Sequence, residues 1–144
     1  MRISDILRAK GDTVVGVTPD ATVRDLLENL AAHNVGALVV STDGDAIEGI
    51  VSERDVVRHL ARSGPELLDA PVSSIMTAEV RTYGPDHAVD ELSTLMTRYR
   101  VRHVPIVVDG GLRGIVSIGD IVKARLDELQ LERDQLTSYI TGGH

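Results

Sequence analysis

Apolar and polar positions alternate in two ways along this chain, and the order of those patterns is used twice. Short β-branched runs read as strands, whereas stretches with Val, Leu or Ile at i, i+3, i+4 and i+7 read as amphipathic helices. In the first half Ile3, Ile6 and Leu7 predict a short helix over residues 3–9, and residues 13–17 predict a strand stopped at Thr18-Pro19-Asp20. Thr22 with Asp25 three positions on marks a helix start. Val23, Leu26, Leu27 and Leu30 form the stripe of that helix, and Asn34 ends it. Gly36 to Val40 and Ile47 to Val51 predict two strands paired across the turn Thr42-Asp43-Gly44-Asp45. Ser52 then opens a helix running to Ser63-Gly64-Pro65.

The second half repeats the order. Val72-Ser73-Ser74-Ile75-Met76 echoes Ile3-Ser4-Asp5-Ile6-Leu7, and Thr82-Tyr83-Gly84-Pro85-Asp86 echoes Val17-Thr18-Pro19-Asp20. Val89, Leu92, Leu95 and Met96 repeat the helix stripe, and strands from Val104 to Val108 and from Leu112 to Val116 flank Asp109-Gly110-Gly111. Such self-similarity means that one supersecondary unit has been used twice. The predicted division is a first repeat over 1–64, a joint over 65–71, a second repeat over 72–126 and a helical extension over 127–144. A single helical turn at Glu66-Leu67-Leu68 fits inside the joint, which Pro65 and Pro71 bracket.

The sharpest echo is a phrase. Gly49-Ile50-Val51-Ser52, two variable residues and Asp55-Val56-Val57 return as Gly114-Ile115-Val116-Ser117, two residues and Asp120-Ile121-Val122. Each copy reads as strand end, sharp turn and helix start, with the Gly marking a close backbone approach or a bulge. Ser followed three residues later by Asp is, on the plain reading, a helix cap. The other reading is that free amides, a hydroxyl and a carboxylate share one rim, and a helix N-terminus is a seat for phosphate. The pairing of two such rims by the repeat favours the second reading.

The last helix breaks the symmetry, since beyond its first turn no Gly or Pro follows until Gly142. Val122, Leu126, Leu129, Arg133, Leu136 and Ile140 recur at the spacing of a heptad seam with one arginine in it. Either its first turns pack on the domain and the rest is a solvated tail, or the seam meets a symmetry mate. An apolar stripe projecting past a small domain favours the mate.

Composition narrows the function. In 144 residues, 42% hydrophobic but without Phe or Trp, the core must be built from Val, Ile, Leu and Ala. A net charge of −7 argues against nucleic acid as a partner, because phosphate contacts need a basic face. With no cysteine there is neither a disulfide framework nor a thiolate metal site. Met1-Arg2-Ile3-Ser4-Asp5 lacks the apolar run of a signal peptide, and no apolar stretch approaches the ~20 residues of a membrane span. The expectation is a soluble, cytoplasmic protein with no membrane contact.

Catalytic chemistry finds no footing. His33, His59, His87, His103 and His144 show no metal-ligand spacing, and neither Gly-x-Ser-x-Gly nor a phosphate-loop Gly-Lys-Ser/Thr occurs. Asp43-Gly44-Asp45 lacks the remainder of an EF-hand loop and reads as a turn. No catalytic residue, no metal and no enzyme activity are expected. Cations nevertheless crowd Arg98, Arg100, Arg102 and His103. Arg98 and Arg100 read as a solvated edge at a helix end, while Arg102 and His103, at the start of a strand facing the joint, read as ligand contacts. Arg54, Arg58 and Arg62 form a surface stripe at i, i+4 spacing, with Arg54 nearest the rim.

Two β-α-β-β-α units, a Pro-Asp before each first helix, the Asp-Gly hairpins and the doubled Gly-h-h-Ser-x-x-Asp (h, apolar) resemble a tandem pair of CBS domains (cystathionine β-synthase domains, together a Bateman module). The resemblance covers about residues 1–126. It implies an α+β fold of two CBS repeats packed sheet to sheet about a pseudo-twofold axis, here with a long C-terminal helix. It also implies two clefts that commonly bind adenine nucleotides or related adenosyl ligands, association into disc-like dimers, and a regulatory, non-catalytic role.

Carried over by position, the family's ribose-contacting Asp falls on Asp55 and Asp120, and its Ser or Thr near the phosphate falls on Ser52 and Ser117. The resemblance implies a main cleft of Ile50, Ser52 and Asp55 with Val80, Arg81, Arg102 and His103. It implies a weaker second cleft of Ile115, Ser117 and Asp120 with Val14, Val15, Gly36 and Ala37. Arg102 and His103 supply cations where the family often has them, and a guanidinium fork suits phosphate oxygens. Their counterparts Gly36 and Ala37 supply none. The Asp55 cleft is therefore expected to hold a phosphorylated ligand, and the Asp120 cleft to stay vacant or accept only an uncharged head. The absent cation at Gly36 argues against tight polyphosphate binding.

The expected function is a ligand-sensing module that requires no cofactor. It takes AMP, ADP, ATP or another adenosyl compound between its repeats, and it signals as a homodimer to a separate regulated protein. The alternative is a structural or interaction dimer with degenerate clefts.

Overall fold

The computed structural model of the protein describes residues 1–11 and 14–142. Helix α1 (Ile3–Lys10) is followed by strand β1 (Gly16–Val17), helix α2 (Val23–His33), strands β2 (Ala37–Val40) and β3 (Gly49–Ser52), and helix α3 (Glu53–Ser63). Two 3₁₀ stretches, Gly64–Asp69 and Val72–Ser74, lead into helix α4 (Val89–Tyr99), strands β4 (His103–Val108) and β5 (Gly111–Ser117), and the long helix α5 (Ile118–Gly142). The α+β repeat architecture and the long terminal helix are as the sequence predicts.

Local chemistry accounts for the helix ends. Thr22 caps α2, its hydroxyl accepting from the Asp25 amide at 3.1 Å while the Asp25 carboxylate accepts from the Thr22 amide at 3.2 Å. Asn34 closes that helix in the left-handed region at φ 52°, a conformation that its short polar side chain tolerates. Asp43 organises its turn by accepting from the amides of Asp45 and Ala46, both at 2.9 Å.

In the first sheet β1 runs parallel to β2 and β2 antiparallel to β3, with Ala37 opposite Ser52 and Val40 opposite Gly49. The second sheet is the antiparallel pair β4 and β5, with His103 opposite Ser117. The first strand expected of the second repeat shrinks to one parallel bridge, Tyr83 to Ile106. Gly84-Pro85 follows at once, and a proline has no amide to continue a ladder. The strand expected over 13–17 is likewise short. Of that stretch Thr13 lies outside the described residues, as do Gly143 and His144 of the extension.

Core packing crosses the repeat boundary. Val23, Leu26, Leu38 and Val51 of the first half are closed off by Leu67, Val72 and Ile75. Leu92, Val104, Ile106 and Val116 of the second half are closed off by Ile3 and Ile6 from the chain's beginning. Backbone bonds hold both lids in matching fashion. Val72 donates to Ala21 and Ser73 to Pro19, while Ile3 donates to His87 and Ser4 to Pro85, all within 2.8–3.0 Å.

These lids explain the repeated glycine. A Cβ on Gly49 would lie 2.7 Å from Met76 Sδ and 2.9 Å from the Thr77 carbonyl oxygen, whereas one on Gly114 would lie 2.6 Å from Leu7 Cδ2. The first clash includes backbone and the second only the tip of a mobile side chain. Gly49→Ala is therefore expected to destabilise the fold by about 1–3 kcal/mol and Gly114→Ala by less. Urea denaturation of the two variants checks the order, and equal losses would contradict it.

Candidate functional site

The two echoed phrases form two matching corners. At the first, Ser52 Oγ accepts from the Asp55 amide at 3.3 Å, and Asp55 Oδ2 accepts from the Ser52 amide at 2.9 Å and the Ser52 hydroxyl at 3.1 Å. At the second, Asp120 Oδ2 accepts from the Ser117 amide at 2.8 Å, and the Asp120 amide donates to Ser117 Oγ at 3.1 Å. Both are capping boxes, so the plain reading of the phrase holds at each. It does not exhaust them, because among the described residues Asp55 Oδ1 accepts no hydrogen bond.

The first corner opens on a cavity of about 570 Å³. Ile50, Ser52, Asp55, Val80, Arg81, Arg102 and His103, assigned to the main cleft by resemblance, all line it. The fold delivers them from separate elements. Ile50 and Ser52 come from β3, Asp55 from the first turn of α3, and Val80 and Arg81 from the segment beyond the first half's lid. That segment is pinned where Thr77 and Ile50 exchange backbone bonds of 3.0 and 2.9 Å. Gly36 and Ala37, assigned by resemblance to the second cleft, line this same cavity. They start β2 beside the start of β4, and the ring of His103 stands 3.6 Å from where a Gly36 Cβ would be. Val14 borders a separate cavity of about 270 Å³ with Gly16, Val39 and Ser41, and Val15 packs on the first core.

The second corner is occupied. Lys10, the last residue of α1, donates from Nζ to Asp120 Oδ2 and to the Ile115 carbonyl, each at 2.7 Å. Asp120 is half-buried, and burial alone would raise its pKa. The Lys10 ammonium and the Ser117 amide outweigh that and hold it below the ordinary carboxylate value.

Electrostatics single out the open cavity. Arg54, Arg58, Arg81, Arg100 and Arg102 face it against only Glu53, Asp55 and Glu79, a basic lining in a chain of net charge −7. Arg81 lies over the Tyr99 ring at 3.4 Å from its centroid, a cation–π contact that steadies the guanidinium. Arg58 and Arg100 were missed by sequence reasoning, which left them on the surface. Arg100 closes α4 in the left-handed region at φ 54°, where a residue other than Gly, Asn or Asp gains nothing locally. In the sequence its one signal was its place beside Arg102 in a run of cations.

His103 sits between the two corners. Burial pushes its pKa below the ordinary value, Asp120 and Glu53 pull it up, and Lys10 and Arg102 push it down further. Among the described residues no group of three or more His, Asp or Glu could hold a metal ion, and no helix is long and apolar enough to cross a membrane.

Two repeats with matching strand-to-helix corners, one of them open on an arginine-lined cavity, define a paired-repeat module. Each half matches the CBS-domain model, over residues 3–62 and 72–127, and the chain belongs to that family. It is 40% identical to the mitochondrial CBS domain-containing protein CBSX3 of Arabidopsis thaliana, over 99% of this chain and 73% of the relative. Among solved structures it resembles the CBS-domain containing protein ATU1752 of Agrobacterium tumefaciens, with 42% identity, a TM-score of 0.83, and coverage of 87% of this chain and 99% of that one. It also resembles a CBS domain protein of Pyrobaculum aerophilum solved in complex with AMP, at 31% identity, a TM-score of 0.74, and 83% and 89% coverage.

A histidine whose folded pKa is depressed binds fewer protons than the unfolded chain does. Its contribution to stability is thus present above the unfolded value near 6.5 and is lost as pH falls through that value. The wild type is expected to lose stability between about pH 7.5 and pH 5.5 more steeply than His103→Gln. Denaturant titrations across that range read the difference, and identical slopes would refute it.

Proposed function

We propose that this protein is a regulatory ligand-sensing module that binds an adenine nucleotide, of the AMP type, in the cavity beside Asp55. The observation that carries the reading is the open, arginine-lined cavity at one corner, set against the corner that Lys10 closes at the other. Asp55 Oδ1 is free to accept from ribose hydroxyls. Ser52 and the first residues of α3 border the same space, where the macrodipole favours an anion. Arg102 supplies a bidentate fork for a phosphate. The AMP-bound relative supports the ligand class. With three carboxylates among five arginines, the lining suits a monophosphate better than a polyphosphate.

The output follows from where these groups are rooted. Arg102 faces the cavity, and its carbonyl accepts the Ile118 amide that begins α5, at 2.9 Å. A ligand that draws on Arg102 therefore draws on the base of α5, and it shifts that helix only as far as its affinities for the two postures differ. On this reading the signal passes to a separate protein or to a second copy of the chain. The second reading, an interaction dimer, is favoured by one observation. Val122, Leu126, Leu129, Leu136 and Ile140, the apolar residues of the predicted seam, are each more than half exposed. We regard a homodimer through that face as compatible with sensing rather than opposed to it.

AMP at a hundredfold excess over its dissociation constant should stabilise the fold by about 2.7 kcal/mol, a rise in Tm on the order of 10 °C for a chain of this size. Asp55→Ala and Arg102→Ala are each expected to remove most of the shift, and Asp120→Ala little of it. A wild type whose melting is indifferent to AMP, ADP and ATP would overturn sensing in favour of the dimer.

A further inference from the structure

We propose that the projecting part of α5 pairs antiparallel with the same helix of a second copy of this chain, with Leu126 against Leu136 and Arg133 beside Glu132. The inference rests on the dimer reading above and gives that dimer its face, its direction and its register.

The buried residues of α5 end at Ala124, and the matched family unit ends at residue 127. From Leu129 to Gly142 every residue is exposed. An isolated helix of about 12–15 residues is marginal in water, and helices in proteins draw their stability from packing an apolar face. Such a face is present. Leu126, Leu129, Leu136 and Ile140, with Val122 at the root, are each more than half exposed.

Charge selects the occupant and its direction. Arg133 holds a seam position and Glu132 flanks it. Both are exposed, and among the described residues neither joins an ion pair. Adjacent residues of one helix do not face each other, so they do not satisfy each other. In a parallel, in-register pair Arg133 would meet Arg133 of the second copy inside the seam, a like-charge contact that opposes pairing.

Reversing one helix brings Arg133 against Leu129 instead, Leu126 against Leu136, and Val122 against Ile140. The arginine stem then packs on leucine while its head reaches outward. Arg133 lies two residues past the midpoint at Leu131, and Glu132 of the second copy lies one residue past it on the far side. Their separation along the axis is about 4.5 Å, within reach of a salt bridge. The dyad repeats the contact, so the two arginines and two glutamates cancel at the centre. The root cations Lys123 and Arg125 fall opposite the uncharged Thr137 and Tyr139. A second copy thus supplies apolar partners along the seam and an acid for each arginine.

The chain has no cysteine, so introduced thiols report the pairing directly. A disulfide needs Cα atoms within about 7 Å. Under mild oxidation Leu126→Cys and Leu136→Cys are each expected to stay uncrosslinked alone, and their equimolar mixture to give a disulfide-linked dimer. Crosslinking by each variant alone marks a parallel pair and overturns the proposal, as does its absence from the mixture. Charge exchange tests the same register without thiols. Arg133→Glu should weaken dimerisation about tenfold or more in sedimentation equilibrium, and Glu132→Arg combined with Arg133→Glu should restore it. A monomeric wild type, or a double variant no better than the single one, overturns the proposal. Crosslinks in the expected pairs without a melting shift in AMP sink only the sensing reading, whereas an AMP shift in a protein that stays monomeric sinks only this inference.

Discussion

The crossed lids are the constraint from which the remainder follows. Neither repeat closes its own core: Ile3 and Ile6 complete the second, and Leu67, Val72 and Ile75 complete the first. Each half is therefore stabilised by chain belonging in sequence to the other side of the boundary, and the two cannot separate without exposing both cores. Five large buried side chains are involved, and burying each contributes roughly 1.5–3 kcal/mol, a large fraction of what holds a domain together. The same crossing carries the chain past each strand-to-helix corner on its way out, so what the lid does next decides whether the corner is open.

At that point the pseudo-symmetry fails, and it fails for a local reason. After Ile75 the chain leaves its short 3₁₀ stretch and Thr77 pairs with the backbone of Ile50. That placement lines one side of the cavity with Thr77, Glu79, Val80 and Arg81 without filling it. After Ile6 the chain stays helical for another turn and ends with an ammonium on Asp120. A near-identical framework thus yields one open basic corner and one corner closed by its own lysine. Fold-level symmetry does not imply two equal sites.

Much of this was legible in the chain. The doubled phrase located both corners, because Ser-x-x-Asp before an apolar stripe specifies a capping box whatever else it does. All seven residues given to the main cleft by resemblance meet at one cavity. The ends of α2 and α3 were readable from Thr22, Asn34 and Ser52, whose chemistry is local. Lys10 was not readable, for its partner lies far along the chain and nothing in its neighbourhood announces an acidic target. Arg58 and Arg100 were hidden for a related reason. Helical spacing shows that Arg54, Arg58 and Arg62 share a face, but not which end of that face the other half approaches. The placement of Gly36 and Ala37 is likewise tertiary: β2 and β4 begin side by side near the axis, so one cavity draws on both.

The position of His103 and Arg102 bears on how such a module could report occupancy. Their side chains face the cavity, while the Arg102 carbonyl and the β4–β5 ladder hold the root of α5. At 1.5 Å per residue, a helix of 25 residues extends on the order of 35 Å, so a tilt of a few degrees at its base moves its tip by more than an ångström. Only Ile121 and Ala124 of α5 are buried, with Arg125 reaching Asp90 at the start of α4. The helix is held at its root and free along the remainder, an arrangement in which a small displacement near Arg102 changes the presentation of an exposed apolar seam.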